Sequence, residues 1–322
     1  ISELPTALGA RPHLQKLMLA GNRLQRLPDS LRQCHRLELI RIAANRLTEL
    51  PEWLLTLPSL AWLAYAGNPL ETEADAAALE SVASIPWSAL RLEQPLGEGA
   101  SGVIHRATWE RSGQPATQVA VKLYKGEMTS DGSPLHEMNA CITAGLHPNL
   151  IRIEGRIVGH PQARAGLVME LIDPVYRNLA GLPSLESCSR DVYASDTRFS
   201  AGVALRIASG IASAAEHLHR QGITHGDLYG HNILWDEQGG SLLGDFGAAS
   251  FHATADTVES RALQRIEVRA FGILLGELLE RIESGLSDEG RGRLGDLQRR
   301  CCEPQVLARP GFDEIVRELK SW

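Results

Sequence analysis

His225-Gly226-Asp227-Leu228-Tyr229-Gly230-His231-Asn232, followed at Gly244-Asp245-Phe246-Gly247 by a second aspartate between glycines, is the stretch that decides how this chain is read. It brings two carboxylates and a carboxamide together within a short span. Burying such carboxylates unpaired is costly, so they need a cation. A divalent metal would relieve the repulsion, with Asp227, Asn232 and Asp245 as candidate proton acceptor and metal ligands.

Two upstream features fit the same chemistry. Gly97-Glu98-Gly99-Ala100-Ser101-Gly102 is a glycine-rich loop in which Gly97, Gly99 and Gly102 let backbone N–H groups approach an anion closely. Beyond it, Val119-Ala120-Val121-Lys122-Leu123 places one ammonium in an apolar strand, in a chain with only four lysines to 28 arginines. Such a lysine needs an anionic partner. Glu137, at the start of a helical stretch ending at His147-Pro148-Asn149, is the natural one, with Glu127 as the alternative.

In this order the motifs resemble the protein kinase fold, from about residue 90 to 322. The resemblance implies an α+β bilobal domain binding ATP with Mg2+ (or Mn2+). It assigns catalytic roles to Asp227, Lys122 and Glu137, and metal binding to Asn232 and Asp245. Nucleotide binding falls to Gly97, Gly99, Gly102 and Lys122, to Met169 as gatekeeper, and to the Glu170–Leu171 backbone. His225 is read as a structural histidine. The amphipathic stretch from Ala201 to His219, with Leu205, Ala208, Ile211, Ala215 and Leu218 on one face, is read as the helix that delivers the catalytic loop.

The site also departs from the family. Gly226 stands where regulated kinases carry an arginine, Tyr229 where serine/threonine kinases carry a lysine, and His231 where tyrosine kinases carry an arginine, so the loop has no fixed cation. Loss of one such group costs on the order of 10²–10³ in rate. A protonated His231 would replace it in part. The segment from Gly247 to Glu267 is too short for the usual peptide platform. Arg309 lacks its usual glutamate, with Glu259 or Glu267 as replacements, and Glu267 takes the place of an aspartate that braces the catalytic loop.

The first seventy residues repeat. Asn22, Asn45 and Asn68 are 23 apart, as are Leu14, Leu37 and Leu60, and Leu17, Ile40 and Leu63. The pattern resembles leucine-rich repeats, a short α/β solenoid with structural asparagines. Its concave strands would display Lys16, Met18 and Ala20, then Leu39, Arg41 and Ala43, then Trp62, Ala64 and Ala66. Trp62 and Arg41 are candidate contacts to a protein substrate or partner, and packing on a neighbouring domain is the alternative. The expected division is repeats over 1–70, a capping helix (Glu71 to Ser84) and linker over 71–87, and a kinase-like domain over 88–322, with lobes 88–172 and 173–322.

Composition limits the function classes. The chain of 322 residues is 43% hydrophobic and 22% charged, with net charge −7 and no basic run, which gives no reason to expect nucleic acid or an anionic membrane surface. Five scattered cysteines suggest neither a disulfide framework nor a zinc site, and a reducing cytoplasmic setting is expected. The arginine excess suits a GC-rich, bacterial genome, and the start at Ile1, inside a repeat, suggests a longer parent chain. Three functions remain open: a serine/threonine-type protein kinase that also phosphorylates itself, a nucleotide-binding pseudokinase acting as scaffold or allosteric regulator, and a small-molecule phosphotransferase of the aminoglycoside-kinase type.

Overall fold

The computed structural model describes residues 1–70, 80, 82–126, 128–129 and 131–322. The expected capping helix falls largely outside these residues, and Glu127 lies outside them too.

The 23-residue period becomes three parallel strands, β1 (Lys16–Met18), β2 (Leu39–Arg41) and β3 (Trp62–Ala64), with Leu17, Ile40 and Leu63 in register. These three point inward with the other repeat leucines into one continuous core. The asparagines do the structural work expected of them. Asn45 accepts the Leu24 N–H at 3.0 Å and donates to the Leu19 and Ile42 carbonyls, and Asn68 repeats this one unit later with Leu47, Ile42 and Tyr65. Polar groups in the turns are thereby satisfied without water.

The small lobe is a six-stranded sheet in the order β4-β8-β9-β7-β6-β5. Its strands are β4 (Ser84–Pro86), β5 (Leu90–Glu98), β6 (Gly102–Trp109), β7 (Thr117–Tyr124), β8 (Ile153–Val158) and β9 (Gly166–Glu170), with helix α1 (Pro134–Ala144) between β7 and β8. β4 pairs in parallel with β8, so this sheet takes in residues of the expected linker and begins before residue 88.

The large lobe continues with β10 (Arg177–Asn178), β11 (Phe199–Ser200), α2 (Ala201–Arg220), β12 (Ile223–Thr224), β13 (Ile233–Trp235), β14 (Ser241–Leu243), β15 (Ser250–Phe251), α3 (Val258–Leu279), β16 (Ile282–Ser284), α4 (Asp288–Cys301) and α5 (Phe312–Leu319). Ala208, Ile211, Ala215 and Leu218 of α2 are fully buried, and Ser200 caps the helix by accepting the Val203 N–H. No described helix is long and apolar enough to cross a membrane.

The solenoid does not hang free. Ala262, Leu263 and Ile266 of α3, with Val306, belong to the same apolar cluster as the repeat leucines, while Leu39, Ala61 and Trp62 join the large-lobe core. Of the two alternatives for the concave face, packing on the neighbouring domain is what β2 and β3 do: they lie against the chain's own catalytic loop. The reason is apolar area: Trp62 and the alanines beside it would otherwise stand in water.

Candidate active site

β6 and β7 form a tight antiparallel pair that sets Lys122 opposite Ile104 on one side and Leu167 of β9 on the other. Strand alternation turns Val121 and Leu123 to one face and Lys122 toward α1. There its ammonium forms an ion pair with Glu137, in the first turn of α1, and both groups are largely buried. Burial disfavours both charges and pushes the Glu137 carboxyl up, yet the carboxylate holds Lys122 above its ordinary value, so we take the ammonium as charged. Glu137 is thus the partner of Lys122 among the described residues, which do not include Glu127.

The glycine-rich loop is the β5–β6 hairpin tip, closed by Gly99 N–H to the Gly102 carbonyl at 2.9 Å. Its glycines divide the work. A Cβ on Gly102 would sit 2.6 Å from the Leu123 carbonyl oxygen, so that glycine lets the strands close, while nothing lies within 4 Å of a Cβ built on Gly97 or Gly99. The open space over those two suits a phosphate chain. Behind Lys122, a cavity of about 80 Å³ is lined by Glu137, Met169, Asp245 and Phe246. Met169 is buried on β9. The Glu170 N–H donates to the Arg152 carbonyl at 2.9 Å, which leaves its carbonyl and the Leu171 backbone for the expected bonds to adenine.

Below the cleft, His225 is fully buried and bonds the Gly244 carbonyl at 2.8 Å, tying the catalytic loop to the turn that carries Asp245. Asp245 adopts the left-handed conformation (φ 54°) and accepts the Gly247 N–H. Asn232 donates to both the backbone oxygen (2.9 Å) and the carboxylate (2.8 Å) of Asp227. Its amide nitrogen is therefore engaged, and its Oδ1 is left for a metal. Among the described residues no three His, Cys, Asp or Glu side chains converge on one point.

Glu267 braces the loop as expected: it accepts the Gly226 N–H at 2.7 Å and meets His219 at 2.8 Å. Burial alone would raise its pKa, but these bonds and the nearby histidines hold it below the ordinary value. Arg309 does not pair with Glu259 or Glu267. Its guanidinium donates instead to the carbonyls of Glu303, Arg265 and, across the domain boundary, Pro58 of the solenoid. Burial without a carboxylate lowers its pKa to about 10.

The main feature missed from sequence is what covers the loop. Arg41 of β2, only 2% exposed, pairs with Asp227 and also binds Asp131 at 2.9 Å and the Gly226 carbonyl at 2.7 Å. Against burial, which favours the neutral acid, Arg41 and the neighbouring histidines hold Asp227 below its ordinary pKa. Trp62 donates to the Leu228 carbonyl at 3.1 Å and stacks on Tyr229. His231 is held by Asp191 at 2.6 Å and stands 3.9 Å from Asp227; burial lowers its pKa, but Asp191 raises it above the ordinary value overall. Glu38 binds Ser189 and Arg190 beside it. The one available sequence signal was an arginine at a concave repeat position.

Comparison with known proteins agrees with this geometry. A model of the protein tyrosine and serine/threonine kinase family matches residues 90–272, and a leucine-rich repeat model matches residues 12–70. The serine/threonine-protein kinase PkaA of Streptomyces coelicolor is 27% identical over 71% of the chain and 49% of its own length. Cyclin-dependent kinase 11.1 of Caenorhabditis elegans is 30% identical over 47% of the chain and 20% of its own length, and the putative serine/threonine-protein kinase L673 of a mimivirus is 27% identical over 57% and 31%. The chain thus spans half or less of the length of these curated relatives. With that match over more than half of its residues, the chain belongs to the protein tyrosine and serine/threonine kinase family and carries leucine-rich repeats ahead of the kinase domain.

Proposed function

We propose that this protein transfers the γ-phosphoryl group of ATP to protein hydroxyls, its own included, with Mg2+ or Mn2+. The observation that carries the reading is that the whole site is assembled at once: Lys122 is paired with Glu137 while Asn232 holds Asp227. Gly97 and Gly99 leave the phosphate chain room, Lys122 would neutralise it, and Asn232 Oδ1 and Asp245 would hold the metal. A bound divalent ion supplies charge neutralisation of the transferring group. Asp227 accepts or orients the hydroxyl proton. Arg41 and Asn232 occupy one acceptor site on each of its oxygens, and a carboxylate has about four.

A second reading, a nucleotide-binding scaffold, draws support from Trp62 lying over Tyr229, where the solenoid narrows the approach to the loop. Transfer of labelled γ-phosphate to the protein and to generic acceptors, with thermal stabilisation by ATP read alongside, separates the two. Label that is lost in Asp245→Asn supports the kinase. Stabilisation without label supports the scaffold, and label moving only onto small metabolites supports a small-molecule phosphotransferase.

A further inference from the structure

The position of Arg41 in the repeat needs no cation. Its equivalents one period away are Met18 and Ala64, and its neighbours on the concave face are Leu39, Ala43 and Trp62. A fully buried guanidinium on that face is costly unless its acceptors are provided. All three acceptors lie outside the solenoid, on the kinase domain: the Asp227 carboxylate, the carbonyl of the residue before it, and Asp131 in the segment leading to α1.

The catalytic loop, in turn, carries no lysine or arginine of its own. Gly226 has φ +72°, and a Cβ there would sit 2.4 Å from the Ala248 carbonyl oxygen and 2.8 Å from that of Leu63 on β3. The Ala248 backbone already excludes a side chain at 226, and the docked solenoid adds a second obstacle. At 229 the tyrosine ring is buried, stacked on Trp62 and directed to the Ser189 carbonyl. His231 is drawn aside by Asp191. The guanidinium that pairs with Asp227 comes instead from a strand of the other domain.

We propose that Arg41 is a positioning residue of the phosphotransfer site, supplied by the solenoid in place of the cation that the catalytic loop lacks. This rests on the phosphotransfer reading above. Two observations favour positioning over blockade. Lys122 and Glu137 are paired while Arg41 is in place, so the contact does not dismantle the cleft. The solenoid also shares its apolar core with α3, so Arg41 is part of the built site and does not sit on a detachable lid.

The test uses the full chain, comparing wild type, Arg41→Ala, Arg41→Gln and Arg41→Lys in γ-phosphate transfer, with circular dichroism as the fold control. The expected result is a kcat loss of roughly 10²-fold in Arg41→Ala, the scale of a misplaced catalytic group, with KM for ATP changed only a few-fold. Methylguanidine at non-denaturing concentration restores part of the rate, which a merely structural arginine would not allow. A folded Arg41→Ala that transfers as fast as wild type, or faster, overturns the proposal. If that variant does not fold, the other two decide: Arg41→Lys faster than Arg41→Gln supports it, and equal rates overturn it. Wild type that binds ATP but transfers nothing overturns the phosphotransfer reading itself, and Arg41's role with it. That outcome is distinct from an active wild type indifferent to residue 41.

Discussion

Trp62 and Tyr229 stack face to face, ring centroids 4.1 Å apart and planes 7° from parallel, although one belongs to the third repeat strand and the other to the catalytic loop. The tyrosine that displaces the family's lysine is thus half of an interdomain contact. Tyr229→Lys should therefore leave phosphotransfer no faster, because an ammonium there meets the Trp62 ring and the Ser189 carbonyl away from the cleft. Its melting temperature should fall. A faster variant of undiminished stability would show that position 229 reaches the phosphates.

Trp62→Ala removes the stacked ring, the bond to the Leu228 carbonyl and a side chain that is 1% exposed. Large-to-small changes of this kind cost about 3–5 kcal/mol. Urea titration should show that loss, with the midpoint lowered.

Arg309 joins three carbonyls from α3, the loop after α4 and the Pro58 turn, so it holds the solenoid to the large lobe. Arg309→Met leaves those acceptors without a partner, at about 1–3 kcal/mol for each one stranded. Because the domains share a core, the loss should appear as one cooperative transition at lower temperature. Two separated transitions in calorimetry would mean that the solenoid unfolds alone.

The repeat period, the glycine loop, Lys122, the catalytic loop and the Asp245 turn were all legible in the sequence, since each is a local pattern with a chemical requirement. Lys122 called for an anion and Glu137 met it. Periodicity also said which side chains face the concave side, but not what covers them. Arg41 and Asp227 are 186 residues apart, and no local pattern joins them. Arg309 was missed for a related reason. Its partners are backbone carbonyls, which every residue has, so a search for a replacement carboxylate could not find them. The Glu170 amide was likewise taken by Arg152 through strand pairing that composition does not reveal.

Glu277 offers a pH test away from the cleft. It accepts the Tyr193 hydroxyl at 3.0 Å, and burial, with the charge of Asp191 adding to it, raises its pKa from 4.5 to about 7. The folded protein therefore holds a proton on Glu277 that the unfolded chain releases between about pH 4.5 and 7. Stability from this group is full below that window and lost as pH rises through it. Glu277→Gln keeps an acceptor for Tyr193 and abolishes the titration. It should melt above wild type at pH 8, and the gap should close below pH 4.5. A gap independent of pH would contradict the assignment.

The most direct measurement is intact-mass spectrometry of the wild-type chain and of Asp227→Asn after incubation with ATP and Mg2+. A kinase whose Asp227 handles the hydroxyl proton should gain phosphate in the wild type, on itself or on an added acceptor protein, and gain none or far less in the variant. Equal phosphate on both chains, or none on either chain or acceptor while ATP still raises the melting temperature, would contradict the account.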